Sequence, residues 1–259
     1  MVARYRILLT TFVCVLGACG DESSGGGADG GGQADAVLAA VDAGAKDASS
    51  EFPHPGFGGI SGACDVLDTE LTAPEPGFFR SAIAFDRLYT DSDLMMLTLG
   101  GQEIIADGNA GGSSVLSEVF AYELLERCEN AQLLKTETEI IYDTEGKITD
   151  FLAEVDSLKI GVSVTRAVAF PFEDPYPVEK AEELLSGKLA DILLSSENVS
   201  AEDRWEKQIL AVLAYAPGHA DALQAAYAKI DPAVQADTLV LVLVTNGADD
   251  FIYCNGLCQ

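Results

Sequence analysis

Two short apolar runs near the carboxyl-terminal end of the chain constrain the fold more than any other feature. They are KQILAVLAYA, residues 207–216, and DTLVLVLVTN, residues 237–246. A run of this length without polar alternation is typical of a strand buried on both faces, because parallel sheets carry helices on both surfaces. HADALQAAYAKI, between the two runs, has the spacing of a helix. The sequence therefore predicts an α/β fold with a central sheet flanked by helices.

The preceding segment adds three strands between two further helices. The first helix covers SSVLSEVFAYELLERCENAQLL from Ser113, and the second begins near Pro177, a residue type that is common at helix starts. The second helix is amphipathic, with an apolar face formed by Ala181, Leu185, Leu189 and Ile192. The strands are predicted at residues 139–142, 148–155 and 158–169. Residues 113–259 thus form an α/β core around a mixed sheet, in the order α-β-β-β-α-β-α-β.

The region before this core, residues 51–112, is predicted to be irregular with one strand hairpin. It contains the turn-rich stretches PHPGFGG, APEPGFF and GNAGGSS. The hairpin spans Asp93–Ile105 and turns at Gly100 and Gly101. GNAGGSS precedes a helix but lacks the GxxxxGK pattern of phosphate-binding loops, so we interpret it as a helix start with a serine cap.

The amino-terminal segment has the features of an export signal. Two arginines precede an apolar stretch, Ile7–Leu16, that is too short to span a bilayer. The sequence LGAC at residues 16–19 then resembles the lipobox of bacterial lipoproteins. The resemblance implies that residues 1–18 are a signal peptide and that the Cys19 thiol receives acyl chains such as palmitate. Several acyl chains anchor a protein stably, because each buried methylene contributes about 0.8 kcal/mol.

Residues 19–50 follow as a tether that is rich in Gly, Ser and Asp. Such a segment cannot bury enough apolar surface to order itself, and ~30 residues of it span roughly 30 Å. The predicted location is the bacterial cell envelope, with the lipid bilayer as a partner through the acylated Cys19. Gly20 is not a retention signal for the inner membrane, which favours the outer membrane.

The charge of the chain argues against nucleic acid as a partner. The chain has 42 Asp and Glu against 15 Lys and Arg, a formal net charge of -27. Nucleic-acid binding draws most of its affinity from basic side chains that neutralise phosphates. Solubility of an exported protein is the simplest reason for such a charge. An envelope protein or another ligand remains open as the partner.

The cysteine count agrees with export to an oxidising compartment. Besides Cys19, and Cys14 in the leader, four cysteines belong to the predicted domain. An even number predicts two structural disulfides, with three pairings open. The four residues are Cys64, Cys128, Cys254 and Cys258. A metal site at CNGLC is disfavoured because no histidine lies near it.

One carboxylate of the helix that starts at Ser113 lies in an unexpected place. The polar residues of this helix predict a solvent-facing stripe formed by Glu118, Tyr122, Glu126 and Glu129. Glu123 instead lies within the apolar arc, seven residues after Leu116 and three after Phe120. A carboxylate in that arc is costly unless another group pairs with it. We therefore expect a partner for Glu123.

The element order and the stretch GVSVTRAV resemble the restriction-endonuclease-like PD-(D/E)XK superfamily, and also a group of uncharacterised proteins that share its core. The resemblance implies a helix acid at Glu123, or at Glu118 if the helix is rotated. It places the superfamily's strand aspartate at Asp150. Ser163 then stands where the superfamily has a second acid, and Thr165 stands where it has a lysine.

These departures decide between two functions. Neither Ser163 nor Thr165 supplies charge to a metal or replaces a lysine, so we interpret the domain as a non-catalytic nuclease-like module, without a cofactor, that acts in binding or in a structural role. The alternative is a divalent-metal-dependent hydrolase in which Glu123 and Asp150 hold Mg²⁺ and a displaced lysine assists. We expect GVSVTR to be a core strand, with Ser163 and Thr165 hydrogen-bonded to neighbouring backbone or to Asp150.

Overall fold

The computed structural model describes residues 59–111 and 114–254. These residues form a seven-stranded sheet in the order β1-β2-β7-β6-β5-β4-β3. The strands are β1 (Gly59–Gly62), β2 (Gly77–Phe85), β3 (Gln132–Thr136), β4 (Phe151–Val155), β5 (Leu158–Ala167), β6 (Lys207–Ala214) and β7 (Leu239–Gly247). The predictions for the leader, Cys19, the tether and Cys258 lie outside the described residues.

The centre of the sheet is parallel and its margins are antiparallel. β2, β7, β6 and β5 run in the same direction. β4 runs against both β5 and β3, and β1 runs against β2. All of β6 is buried, and so is β7 except for its last two residues. These strands are the two apolar runs of the sequence, and the mixed α/β fold predicted from them is confirmed.

Helices cover both faces of the sheet. They are α1 (Leu99–Asp107), α2 (Val115–Glu129), α3 (Val178–Asn198), α4 (Pro217–Tyr227), α5 (Pro232–Gln235) and α6 (Asp250–Tyr253), and a 3-10 helix over Asp91–Met96 precedes α1. α1, α2 and α6 pack on one face, and α3 and α4 pack on the other. α3 buries the apolar face predicted for it, Ala181, Leu185, Leu189 and Ile192.

The predicted order of elements is confirmed, although the first strand after α2 is not the predicted one. α2 ends at Glu129 because Asn130 adopts a left-handed conformation with φ of 53°, which asparagine tolerates better than most residues. The chain then forms β3, which pairs with β4. Residues 139–142, predicted as a strand, instead contribute an isolated bridge between Tyr142 and Val199.

The hairpin predicted over Asp93–Ile105 is wrong, because this segment is helical. α1 begins after Thr98, whose hydroxyl accepts a hydrogen bond from the Gly101 N–H. The two glycines do not form a turn. They let α1 approach α2 so closely that a Cβ on Gly100 would overlap the ring of Tyr122. Adjacent glycines therefore mark close helix packing here, and not a chain reversal.

The region predicted to be irregular supplies an interior strand of the sheet. β2 pairs in parallel with β7 along its whole length, from Gly77 opposite Leu239 to Phe85 opposite Gly247. Arg80 interrupts the apolar pattern of β2. This strand consequently lacks the uninterrupted run that made β6 and β7 recognisable.

The segment after β7, DDFIY, turns back on the sheet and forms α6. β7 ends at Gly247, where φ is 85°, and a Cβ at this position would collide with the carbonyl of Phe85. The glycine thus allows the chain to leave the sheet and α6 to pack back on it.

A disulfide fastens the amino-terminal part of the domain to α2. Cys64 and Cys128 are bonded, with a Cα–Cα distance of 4.7 Å. Beside it, the Glu129 carboxylate accepts backbone hydrogen bonds from Val66 and Leu67 at 3.2 Å. Cys254 is disulfide-bonded as well. Among the described residues, no helix combines the length and apolar character needed to cross a membrane.

Candidate functional site

The polar groups of the candidate site gather at one end of the sheet, where β5, β6 and β7 finish and β4 begins. Ligands of open α/β sheets commonly bind outside the carboxyl ends of the parallel strands, because the loops there leave a crevice. The groups at this end come from the first turn of α2, the start of β4, the end of β5, the end of β7 and the segment after β7. They are Glu118, Asp150, Arg166, Thr245, Asp249 and Tyr253.

Asp150 immediately precedes β4 and closes one side of β5. The pairing of β4 with β5 finishes at Phe151 and Val162, while β5 continues to Ala167. Beyond that pair, the Asp150 Oδ2 accepts a hydrogen bond from the Val164 N–H at 2.6 Å. Burial, followed by the negative charge of Glu118, raises the pKa of Asp150 to about 7. The Asp150 carboxylate therefore caps a backbone N–H of β5 and lies within the electrostatic influence of Glu118.

Glu118 lies in the first turn of α2 and is buried. Its Oε1 accepts hydrogen bonds from Asn109 Nδ2 at 2.5 Å and from Ser114 Oγ at 3.0 Å. Burial raises the pKa of Glu118, and the hydrogen bond from Asn109 opposes that rise. The solvent-facing stripe predicted for this helix is wrong, because Glu118 and Tyr122 are both buried. α1 and the loop after it cover that side of α2.

Arg166 brings a cation to the same end of the sheet. It shares a strand face with Val162 and Val164, which pack in the cluster that contains α2. Its guanidinium donates to the Ile252 carbonyl at 3.0 Å. Burial is the main cause that lowers its pKa, and Glu118 opposes this effect. On the α2 face of β5, therefore, Val164 and Arg166 stand two residues apart.

Ser163 and Thr165 occupy the opposite face of β5. The Ser163 hydroxyl is hydrogen-bonded to the Thr149 hydroxyl at 2.9 Å. Thr165 is half-buried. β5 lies between β4 and β6, so the core position expected for this strand is observed. The partner of Ser163 is the neighbouring Thr149 side chain, whereas Asp150 binds the backbone of Val164.

Glu123 is fully buried and has the partner that its position in the apolar arc requires. Its Oε1 accepts from the Thr98 N–H at 2.8 Å and from the Thr98 hydroxyl at 2.7 Å. Its Oε2 accepts from Arg127 Nε at 2.9 Å. These contacts join the start of α1 to α2. The structure thus brings Glu118, and not Glu123, into the electrostatic neighbourhood of Asp150.

A second buried polar group lies at the end of β7 and in the segment after it. The Thr245 hydroxyl donates to Asp249 Oδ2 and also lies 2.7 Å from the Tyr253 hydroxyl. Burial raises the pKa of Asp249. α6 carries Tyr253 back over Thr245.

Two carboxylates could hold a divalent cation at this end of the sheet. Glu118 and Asp150 supply oxygen ligands of the kind that Mg²⁺ prefers, with waters in the remaining positions. A bound Mg²⁺ would polarise a phosphoryl oxygen and activate a water. Val164 contributes no carboxylate, so the donor set is smaller than the superfamily resemblance implies. Glu137 adds negative charge that raises the pKa of both acids.

Comparisons with known proteins give two likenesses. No family model matches the chain. It is 40% identical over 164 residues to the "AAC-rich mRNA clone AAC4 protein" of Dictyostelium discoideum, which covers 61% of this chain and 24% of that protein. The chain therefore spans about a quarter of the length of this curated relative. The solved structure of Pyrococcus furiosus SfsA in complex with Ca²⁺ is similar with a TM-score of 0.27 and 16% identity, over 53% of this chain and 58% of that one.

Proposed function

We propose that the protein is an exported bacterial lipoprotein, anchored through Cys19, whose nuclease-like domain acts in binding or in a structural role. The leader, the LGAC sequence and the tether support the anchor. The disulfide between Cys64 and Cys128 is consistent with an oxidising compartment. The proposed location is the cell envelope, with the outer membrane favoured over the inner one and an envelope protein or ligand as partner.

The observation that best supports a non-catalytic role is that the Asp150 carboxylate is engaged in a structural hydrogen bond. Its carboxylate accepts the Val164 N–H at 2.6 Å and so completes the side of β5. The positions where the superfamily has a second strand acid and a lysine hold Ser163 and Thr165 on one face, or Val164 and Arg166 on the other. Neither pair supplies a further metal ligand together with a lysine next to the attacking water.

The anchor is tested by labelling a bacterial host that expresses the full chain with radioactive palmitate. We expect label in the wild-type protein and in the Cys14→Ala variant, because Cys14 lies within the leader. The Cys19→Ala variant should carry no label and should appear in the soluble envelope fraction. Label that persists in Cys19→Ala would contradict the proposal.

A specific observation favours a second function, a divalent-metal-dependent hydrolase. Burial raises the pKa of both Glu118 and Asp150, the charge of Glu118 raises the pKa of Asp150 further, and the positive charge of Arg166 lowers the pKa of Glu118. This arrangement could hold Mg²⁺ and stabilise a developing negative charge with the guanidinium. In this alternative Glu118 takes the role that the sequence had given to Glu123.

One assay separates the two functions. The full chain is incubated with supercoiled DNA and with a small phosphodiester in a Mg²⁺ titration. The binding or structural role predicts no hydrolysis above that of buffer. Hydrolysis that requires the metal, is lost in Asp150→Asn and Glu118→Gln, and persists in Asp156→Asn would establish the hydrolase. Asp156→Asn is a matched control because it makes the same change in the turn between β4 and β5.

A further inference from the structure

A continuous strip of aromatic rings lies at the carboxyl ends of β5 and β6, beside the candidate site, where Tyr215 packs edge-on with Tyr253 at 5.2 Å. The rings of Phe170 and Phe172 are 5.0 Å apart, and Phe172 stacks on Tyr215 at 4.8 Å with an interplanar angle of 13°. His219 makes an edge-to-face contact with Tyr215 at 5.9 Å and stacks on Tyr176 at 4.6 Å. We call Phe170, Phe172, Tyr176, Tyr215 and His219 the aromatic strip.

One end of the aromatic strip is open to solvent. Phe170 is 61% exposed, whereas Phe172 and Tyr215 are half-buried. An exposed phenylalanine that stacks on further rings presents a surface of π-faces, which is a common element of ligand sites. His219 is buried, and burial followed by the charge of Lys180 lowers its pKa. A neutral imidazole adds no positive charge to the strip at neutral pH.

Three carboxylates lie close enough to the middle of the strip to act on Tyr215. Asp250, Asp249 and Glu173 all act electrostatically on the Tyr215 hydroxyl and raise its pKa, after the effect of burial. Asp250 and Glu173 are exposed. A cation placed over these rings would gain both ring-quadrupole attraction and carboxylate attraction, while an anion would be repelled.

The other end of the strip already holds an ammonium group of the protein itself. Lys180 Nζ lies 5.5 Å from the centroid of the Tyr176 ring, within the range of a cation–π contact. The ring of Tyr176, at this end of the strip, is therefore accessible to a cation. The exposed Phe170 and the half-buried Phe172 and Tyr215 form the end of the strip that Lys180 does not contact.

We infer that the open part of the aromatic strip is a binding site for an organic ammonium ion. Phe170 provides the exposed ring face, Phe172 and Tyr215 provide the half-buried rings beside it, and Glu173 and Asp250 provide the countercharge. The site contains none of the residues Glu118, Asp150 and Arg166, so it stands whether the domain is catalytic or not. Its ligand class is an amine or quaternary ammonium compound.

The test uses choline as the probe and the full chain in a non-ionic detergent. Choline is titrated at constant ionic strength while its methyl proton resonance is followed. We expect an upfield shift that saturates with choline concentration, because methyl groups over ring faces experience ring currents. The neutral isostere 3,3-dimethyl-1-butanol should bind at least about fivefold more weakly, since it lacks the charge that cation–π attraction requires.

Variants assign the site. Phe170→Leu keeps an exposed apolar side chain but removes the ring, and should weaken choline binding about fivefold. Glu173→Gln should weaken it by a smaller factor, whereas Glu145→Gln, a matched exposed change in another loop, should leave it unchanged. No saturable shift, equal binding of the neutral isostere, or equal loss in Glu145→Gln would each overturn the inference. These outcomes do not depend on the palmitate or hydrolysis assays.

Discussion

The two faces of the sheet are constructed differently. α3 covers its face with one apolar stripe, and residues such as Glu179 and Glu183 remain exposed. α2 is enclosed on nearly all sides, and it buries Glu118 and Glu123 among apolar neighbours. A one-sided helix needs only the right period of apolar residues, whereas an enclosed helix must satisfy each polar group individually. The α2 face is consequently the one that holds the candidate chemistry.

The largest expected effect comes from the α2 face. Glu123→Ala should lower the free energy of unfolding by about 4 kcal/mol, because it removes the buried carboxylate that accepts from Thr98 and pairs with Arg127. Urea unfolding followed by circular dichroism measures the loss. Glu183→Ala on α3 is the control and should stay within about 0.5 kcal/mol of the wild type. Equal losses of unfolding free energy in Glu123→Ala and Glu183→Ala would show that buried polar groups matter no more on the α2 face than exposed ones on the α3 face.

The α3 face should respond to a change in packing alone. Leu189 is fully buried, and Leu189→Ala should destabilise the domain by about 3 kcal/mol through lost burial and a residual cavity. The loss should be the same at pH 5 and pH 7.5, because no charge is removed. Leu194→Ala, at a position that is 47% exposed, should have a much smaller effect. A strongly pH-dependent loss in Leu189→Ala would argue against this account.

The smallest of the three effects is a pH dependence that belongs to the α2 face. The folded state raises the pKa of Asp150 from 3.8 to about 7, so the folded protein holds a proton that the unfolded chain has released. The free energy of unfolding should therefore fall as pH rises from about 4 to about 7, and then level off. We expect a decrease on the order of 1–2 kcal/mol, since solvent contact of Asp150 screens its charge.

Asp150→Asn isolates this dependence. The asparagine oxygen can still accept the Val164 N–H, and it cannot ionise. The variant should lose most of the decline between pH 4 and 7, measured by urea unfolding at four pH values. The charged groups that act on Asp150 are Glu118, Glu137 and Lys188. Lys188 lowers the pKa of Asp150, so Lys188→Gln should enlarge the fall in the free energy of unfolding with pH. A decline that is identical in Asp150→Asn would assign the titration to another group.

Sequence periodicity predicted the parts of the fold whose burial is uniform. β6 and β7 are apolar throughout, and α3 repeats its apolar residues every three or four positions, so local pattern and tertiary environment agree. β2 was not predicted, because Arg80 and Ser81 interrupt its run of apolar residues. α1 was taken for a hairpin because Gly100 and Gly101 suit either a turn or a close helix contact.

The candidate site depended on contacts that no local pattern contains. The position of Glu123 in the apolar arc was enough to predict that it needs a partner. Its actual partner Thr98 precedes α1, which had been assigned to a different element. For the same reason Glu118 was placed in solvent, although Asn109, at the end of the α1 segment, covers it. Because α1 was predicted as a hairpin, the surroundings of both Glu118 and Glu123 were predicted incorrectly.

The pairing of β2 with β7 affects how the domain can be divided. Residues 77–85 sit beside residues 239–247, so the polypeptide must be nearly complete before the middle of the sheet can assemble. A fragment that starts at residue 113 would contain every element of the predicted core, yet it would present the backbone of β7 as a bare flank. Such a flank invites pairing with other molecules. A shortened version for crystallisation therefore has to retain the chain from β1 onward.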